Sequence, residues 1–163
     1  MIHGNDKAVT MFTVSFFGHR IIPSFNETEK QLESLIDILL TNNAYTEFLI
    51  GRNGEFDQIV SSVIRRVKRN KRDDNSSLIW ILPYSTAELR NNKDNFLQYY
   101  DEIEICHTSA NSYPQRAFQI RNQYMVDRSD LIVFYVKQKS GGACRTMCYA
   151  KQQQKNIINL AEK

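Results

Sequence analysis

Four short segments with glycine, basic or polar side chains follow apolar runs in this sequence. They are 18–20 (GHR), 51–57 (GRNGEFD), 83–84 (PY) and 140–142 (SGG). Glycine lets a backbone approach an anion closely, and the free N–H groups at the start of a helix attract phosphate. Glycine is also an ordinary turn residue between a strand and a helix, so each loop taken alone has a purely structural explanation. Two glycine loops facing each other predict a phosphate cradle.

An arginine lies on a predicted helix shortly before the most strand-like segment of the chain. Arg121 precedes Asn122 and Met125, and a guanidinium group can hold two phosphate oxygens at once. The alternative is a solvated helix arginine, with Met125 in the core. The predicted ligand contacts of the whole site are Gly18, His19, Arg20, Gly51, Asn53, Gly54, Arg121, Asn122, Gly141, Gly142 and Thr146.

The glycine spacing argues against two common nucleotide sites. The chain contains neither the G-x-G-x-x-G fingerprint of dinucleotide-binding proteins nor a G-x-x-x-x-G-K-[ST] phosphate loop. Ordinary NAD binding and P-loop ATP hydrolysis are therefore not indicated, and no cofactor is expected. The sequence favours a nucleotide or nucleotide-derived phosphate ligand that is held in another way.

The loops connect predicted strands, seen as short apolar runs, with predicted helices, seen as apolar residues at helical spacing. We expect strands at 11–17, 47–50, 78–82, 102–106, 130–136 and 156–160, and helices near 27–43, 56–67, 113–126 and 143–154. Residues 84–100 are polar and rich in asparagine, and we expect a short helix with an exposed excursion there. This alternation predicts an α/β, Rossmann-like domain over residues 1–163, with a mainly parallel sheet of five to six strands and helices on both faces. Ligands of such folds bind outside the carboxyl ends of the strands.

The bulk composition is that of a globular protein, with 42% hydrophobic residues, 24% charged residues and a net charge of +3. No apolar stretch approaches the ~18 residues that a membrane span needs, and the first residues carry no export signal. The three cysteines, Cys106, Cys144 and Cys148, suggest neither a disulfide framework nor a zinc site, and we expect Cys144 and Cys148 to pack in the core. A cytoplasmic protein without a metal site is expected.

A basic cluster is the only strong charge feature. Six of the eight residues from Arg65 to Arg72 are basic. They can simply end a helix, where cations complement the negative end of the helix dipole. The other hypothesis is contact with nucleic acid.

The glycine loops and the arginine segment together resemble the SLOG superfamily, named after the DNA-processing Smf/DprA proteins and the LOG phosphoribohydrolases. The similarity rests on 18–20 (GHR), 51–57 (GRNGEFD), 121–130 (RNQYMVDRSD) and 140–150 (SGGACRTMCYA), and it is greatest to the small single-domain members of bacteria and phages. The resemblance implies a Rossmann-like fold with a nucleotide phosphate held by the glycine loops. Against the LOG pattern, Arg121 and Met125 match the R-K-x-x-M segment, whereas Gly141, Gly142 and Thr146 match the P-G-G-x-G-T-x-E-E segment only in part.

The departure from the LOG pattern affects catalysis. Residues 144–149 (CRTMCY) hold no carboxylate where the LOG enzymes carry their catalytic glutamate. If the protein is an enzyme, Glu55 or Asp57 would act as the acid beside a ribosyl centre, with Arg121 orienting the substrate. Carboxylates at a helix start also have an ordinary role in complementing the helix dipole.

Three functions remain in view. The first is binding of a nucleotide-type ligand, as a sensor or a sequestering module. The second is hydrolysis of an N-glycosidic bond in a nucleotide. The third is a DNA-processing accessory role that uses the basic cluster. The sequence leaves the oligomeric state open, with a homodimer among the alternatives.

Overall fold

Six parallel strands form one continuous sheet. The computed structural model describes residues 10–71 and 74–162. The strands are β1 (Met11–Gly18), β2 (Tyr45–Ile50), β3 (Ser76–Leu82), β4 (Glu102–Ile105), β5 (Leu131–Tyr135) and β6 (Asn156–Asn159). Their order across the sheet is β4-β3-β2-β1-β5-β6, and every neighbouring pair is parallel.

Helices connect the strands and cover both faces of the sheet. They are α1 (Phe25–Asn42), α2 (Glu55–Lys71), α3 (Ala87–Tyr99), the single turn α4 (His107–Ala110), α5 (Pro114–Arg128) and α6 (Gly142–Gln152). The first three cover one face, and α5 and α6 cover the other. Successive strand residues enter opposite cores: Phe16 and Phe48 lie in the core under α1 and α2, whereas Phe17 and Leu49 face α5 and α6. The prediction of an α/β, Rossmann-like fold is confirmed.

The order of the strands creates a crevice beside β1. The chain moves outward on one side of β1 through β2, β3 and β4, and then returns to its other side with β5. The loops after β1 and β5 therefore diverge to opposite faces of the sheet, and this divergence leaves room for a ligand at the carboxyl ends of the two strands. The predicted glycine loops lie at this edge.

Two local expectations are wrong. Residues 87–99 form the helix α3, interrupted only by a kink at Asn92, where we expected a short helix with an exposed excursion. The side chain of Thr86 caps this helix by accepting a hydrogen bond from the Leu89 N–H group. Cys148 is exposed and Cys144 is half-buried, so only Cys106 is a buried cysteine. Cys144 packs at the edge of the core under α5 and α6, whereas the expectation that Cys148 packs in the core is wrong.

None of the helices in the described part of the chain has the length and apolar character to cross a membrane. Within the same residues, no group of three or more histidine, cysteine, aspartate or glutamate side chains is arranged to hold a metal ion.

Candidate functional site

A cleft of about 540 Å³ opens at the carboxyl ends of β1, β2 and β5. A face of α5 forms one wall, and the first turn of α6 forms another. Most of the residues predicted from the sequence line it. They are Gly18, His19, Arg20, Gly51, Asn53, Asp57, Arg121, Asn122, Gly141 and Gly142.

The remaining three predicted residues do not line this cleft. Gly54 packs against the β1–α1 loop, where a Cβ would lie 2.6 Å from the Arg20 Cα. Glu55 accepts a hydrogen bond of 2.7 Å from the Ile22 N–H group and so fixes that loop. Thr146 is buried, donates to the Gly142 carbonyl and accepts from the Asn122 side chain at 3.1 Å. These residues hold the walls of the cleft in place.

Arg121 is buried, with only 1% of its surface exposed, so the hypothesis of a solvated helix arginine is wrong. One of its terminal nitrogens, Nη1, donates to the Ile81 carbonyl at 3.0 Å and to the Gly51 carbonyl at 3.4 Å, and Nε donates to the Asn122 side chain at 3.1 Å. Burial lowers the pKa of Arg121 to about 10, which still leaves the guanidinium charged at neutral pH. Arg121 therefore ties α5 to the ends of β2 and β3 and places a fixed positive charge at the base of the cleft.

Asn53 completes the shell around this guanidinium. With its amide oxygen turned toward Arg121, Asn53 accepts from Nη2 at 2.5 Å and donates to the Gly51 carbonyl at 3.2 Å. The Asn53 backbone N–H group in turn donates to Asp57 Oδ2 at 2.7 Å. Arg121, Asn53 and Asp57 thus form one connected polar network.

Asp57 is the carboxylate of the cleft lining. It is 7% exposed, and burial raises its pKa to about 6, against the opposing effects of the Asn53 hydrogen bond and the Arg121 charge. Its Oδ1 atom is buried without a hydrogen-bond partner among the described residues. A carboxyl group that titrates near neutral pH and has a free oxygen can transfer a proton or accept a donor from a ligand.

His19 joins the loops on the two sides of the crevice. Its Nε2 atom accepts hydrogen bonds from the backbone N–H groups of Lys137 at 2.8 Å and Gln138 at 3.2 Å. Burial lowers the pKa of His19, and both hydrogen bonds require Nε2 to be unprotonated. The neutral imidazole therefore holds the β5–α6 loop against β1.

The first turn of α6 is open toward the cleft. Gly141 has a φ of 101°, which favours glycine, and a Cβ at Gly141 or Gly142 would meet no atom within 4 Å. No side chain of the described residues caps this helix start. Its first N–H groups and the positive end of its dipole are thus available to an anion.

Sequence reasoning missed a polar and aromatic face of α5. Gln115, Phe118 and Gln119 were not predicted, and they line the cleft beside the predicted Asn122 and together with Arg145 of α6. Phe118 is 43% exposed, and its ring meets the Tyr84 ring edge to face at 5.9 Å. The signal was present, because the four α5 residues fall at positions i, i+3, i+4 and i+7 and so share one side of a helix.

The basic cluster belongs to the last turns of α2 and is largely engaged within the molecule. Arg66 forms ion pairs with Glu29 and Glu33, Lys68 with Asp101, and Lys71 with Asp37. The guanidinium of Arg65 lies 4.0 Å from the centre of the Tyr99 ring. Arg72 lies outside the described residues.

Comparison with known proteins gives matches in structure alone. No family model matches the sequence, and no curated protein shows significant similarity to it. DNA processing protein A (DprA) from Streptococcus pneumoniae superposes with a TM-score of 0.64 at 14% identity, over 90% of this chain and 49% of that protein. DprA from Helicobacter pylori, described for its binding of single-stranded DNA, gives 0.61 at 15% identity, over 90% and 63%.

A third solved structure, that of the protein TM1055, has a TM-score of 0.60 at 16% identity, covering 91% of this chain and 73% of that one. This chain spans about half the length of the pneumococcal DprA and under two thirds of the H. pylori protein. At these identities the likeness establishes the fold. The chain thus has the same Rossmann-like fold as these three proteins.

Proposed function

We propose that the cleft binds a nucleotide or a nucleotide-derived ligand, with its phosphate group at the first turn of α6. The observation that carries the proposal is the open, uncapped helix start at Gly141 and Gly142, which lines the same cleft as the buried guanidinium of Arg121. Backbone N–H groups and a helix dipole favour an anion at such a site.

The other walls of the cleft suit the rest of a nucleotide. Arg145 adds a second positive charge beside the α6 turn, while Gln115, Gln119 and Asn122 provide amide groups for the polar atoms of a sugar or a base. The exposed ring of Phe118 offers a flat surface on which a base can stack. Arg121 contributes mainly through its charge and by holding Gly51 in position, because its four hydrogen bonds all go to the protein itself.

The test is titration of the wild-type protein with nucleoside monophosphates, a cyclic nucleotide and ADP-ribose by calorimetry. Gly142→Asp places a carboxylate where the phosphate is expected, and it should weaken binding of the ligand that binds best at least tenfold, or about 1.4 kcal/mol. Gly142→Ala is the matched control, because its Cβ enters empty space. Equal affinities of the wild-type and Gly142→Asp proteins would show that the first turn of α6 does not bind the phosphate.

Hydrolysis of an N-glycosidic bond is the second candidate, and Asp57 is the residue that favours it. Its raised pKa and its unpartnered oxygen suit a general acid, whereas Glu55 is fixed by Ile22 outside the cleft lining. In that reaction Asp57 would protonate the departing base or activate water at the ribosyl carbon. Release of free base from nucleoside monophosphates, lost in Asp57→Asn, would establish it.

Binding of single-stranded DNA is a third candidate, drawn from the H. pylori neighbour. The basic cluster of α2 gives it little support here, since Arg66, Lys68 and Lys71 form internal ion pairs. Retention on single-stranded DNA that weakens steeply with salt, and is lost when Arg20 and Arg145 are replaced by alanine, would place a strand along the cleft instead.

A further inference from the structure

A second cavity of about 370 Å³ lies between α2 and α3, on the other side of the β2–α2 loop from the cleft. Gly51 and Asn53 of this loop line the cleft, whereas Arg52 lines the second cavity. Arg52 has a φ of 58°, an uncommon conformation for a residue with a side chain. At this residue the loop turns, and Arg52 lines a different cavity from its neighbours Gly51 and Asn53.

Aromatic rings form much of the second cavity. Phe96, Tyr99 and Tyr100 line it, and Trp80 lies behind them, 4.9 Å from the Phe96 ring centre and 5.4 Å from that of Tyr100. The Arg52 guanidinium lies over the Trp80 and Phe96 rings, at 5.2 and 5.0 Å from their centres, and pairs with Glu88 at 3.2 Å. Arg52 covers one face of the Phe96 ring, and Arg65 covers one face of the Tyr99 ring, 4.0 Å from its centre; a planar occupant would stack on the opposite faces.

Asp57 is the carboxylate of the cavity lining, beside the polar side chains of Gln58, Ser61 and Asn95. Its carboxyl group is buried, and the Oδ1 atom has no hydrogen-bond partner among the described residues. Arg52 and Tyr100 line the same cavity as Asp57. A buried acceptor without a donor is costly, and a ligand N–H group would satisfy it.

The charges of Arg52 and Asp57 limit the class of ligand that the cavity can accept. The Arg52 guanidinium at the wall disfavours a cationic ligand, and the buried carboxylate disfavours an anionic one. What remains is a neutral, planar group with an N–H donor on its edge. We propose that the cavity between α2 and α3 is a binding site for a nucleobase, stacked on the aromatic wall and donating its ring N–H group to Asp57. This site does not depend on phosphate binding in the cleft.

Inosine is the sharpest probe, because N1–H is the only donor on the edge of its base. We expect inosine to bind and to shift the amide resonances of Gln58, Ser61 and Asn95, which line the cavity. The matched ligand 1-methylinosine lacks that proton and should bind at least tenfold more weakly. Equal affinities of the two nucleosides, or no binding of inosine, would overturn the proposal.

Two protein variants locate the site. Tyr99→Leu keeps the apolar bulk but removes a flat ring, and we expect it to weaken inosine binding at least fivefold. Phe118→Leu makes the same kind of change in the cleft and should leave inosine affinity unaltered. The opposite pattern would assign the nucleoside to the cleft and overturn the proposal. Asp57 is avoided as a test variant because it lines both cavities.

The base can come from a free nucleoside or from a nucleic-acid strand. A deoxyinosine decamer distinguishes the two sources. If its affinity exceeds that of inosine at low salt and falls steeply as salt is added, the site takes bases of a strand. Equal, salt-independent affinities assign it to free nucleosides. In either case, loss of nucleotide binding in Gly142→Asp with inosine binding intact separates this site from the phosphate site of the cleft.

Discussion

The two glycine loops of the molecule look alike in sequence and differ in structure. In the β2–α2 loop, a Cβ at Gly51 would lie 3.0 Å from the Arg121 guanidinium carbon, and one at Gly54 would lie 2.6 Å from the Arg20 Cα. In the β5–α6 loop, a Cβ at Gly141 or Gly142 would enter empty space. Glycine in the first loop permits close packing. In the second loop it leaves room that a ligand can use.

The difference suggests that the β2–α2 loop supports the structure of the cleft, whereas the β5–α6 loop is available to contact a ligand. The closed β2–α2 loop is locked by Arg121, Asn53 and Asp57 through buried hydrogen bonds. The open β5–α6 loop is held near its start by His19, through two backbone N–H groups. We therefore expect substitutions in the closed region to reduce folding stability, and substitutions in the open region to act mainly on ligand binding.

The largest effect is expected at the centre of the closed region. Arg121→Ala removes the donors to the Ile81 and Gly51 carbonyls and leaves a cavity, so it should lower the free energy of unfolding by about 2 to 4 kcal/mol. Chemical denaturation measures this loss. Arg116→Ala, an exposed arginine on the same helix, is the control and should change stability by less than about 0.5 kcal/mol. Similar small losses for both variants would contradict the bracing role of Arg121.

The second effect concerns pH and Asp57. Because the folded state raises the pKa of this carboxyl from 3.8 to about 6, it binds the proton more tightly than the unfolded chain does. The contribution of Asp57 to stability is therefore complete below pH 3.8 and is lost as the pH rises to about 6. Asp57→Asn cannot titrate, so it should exceed the wild-type stability at pH 7 by about 2 to 3 kcal/mol, with little difference at pH 4.

Urea denaturation between pH 4 and pH 7 tests this expectation. Asp94→Asn changes an exposed carboxylate of α3 and serves as the control, with a pH profile parallel to that of the wild type. If the profile of Asp57→Asn were also parallel, the carboxyl of Asp57 would not be the buried titrating group of the closed region.

Much of the fold could be predicted from the sequence, because strands buried on both faces and amphipathic helices leave clear periodic patterns. The six strands and the helices α1, α2, α5 and α6 lie within a few residues of their predicted positions. The helix α3 was harder to predict, since Leu89 is its one buried residue and its remaining contacts are partial. A polar sequence such as that of residues 87–99 carries little periodic signal even where it is helical.

The cleft lies at the edge of the sheet where the sequence places the glycine loops, whereas the packing of its individual residues could not be predicted. Glycine after a strand marks the loop but does not tell whether neighbouring atoms fill the space beside it, as at Gly54, or leave it open, as at Gly142. Burial of Arg121 depends on the carbonyl groups of Gly51, just after β2, and of Ile81 in β3, which are distant in the chain. No local pattern reports such partners.

The third effect compares the two loops directly. Gly54→Ala forces a Cβ against the Arg20 backbone and should lower the free energy of unfolding by about 1 to 3 kcal/mol, as overpacking does elsewhere. Gly142→Ala meets no neighbour and lies at a helix start, so its stability should stay within about 0.5 kcal/mol of the wild type. Thermal denaturation of both variants is sufficient. A larger loss for Gly142→Ala than for Gly54→Ala would reverse the assignment of the closed and open loops.

The smallest effect on global stability is expected at His19, where a local change should be measurable. Since the folded state lowers the pKa of His19, its contribution is complete above about pH 6.5 and is lost as the pH falls through the lower, folded-state value. Protonation of Nε2 breaks the hydrogen bonds from Lys137 and Gln138, which frees the start of the β5–α6 loop. At low pH these two amides should therefore lose their protection from hydrogen exchange, whereas amides in β5 keep theirs.

The variant His19→Ala tests the same contact. It should remove the protection of the two amides at pH 7 while global stability falls by less than about 1 kcal/mol. His107→Ala, at an exposed histidine, is the control; unchanged protection at Lys137 and Gln138 in His19→Ala would show that the loop is held by other contacts.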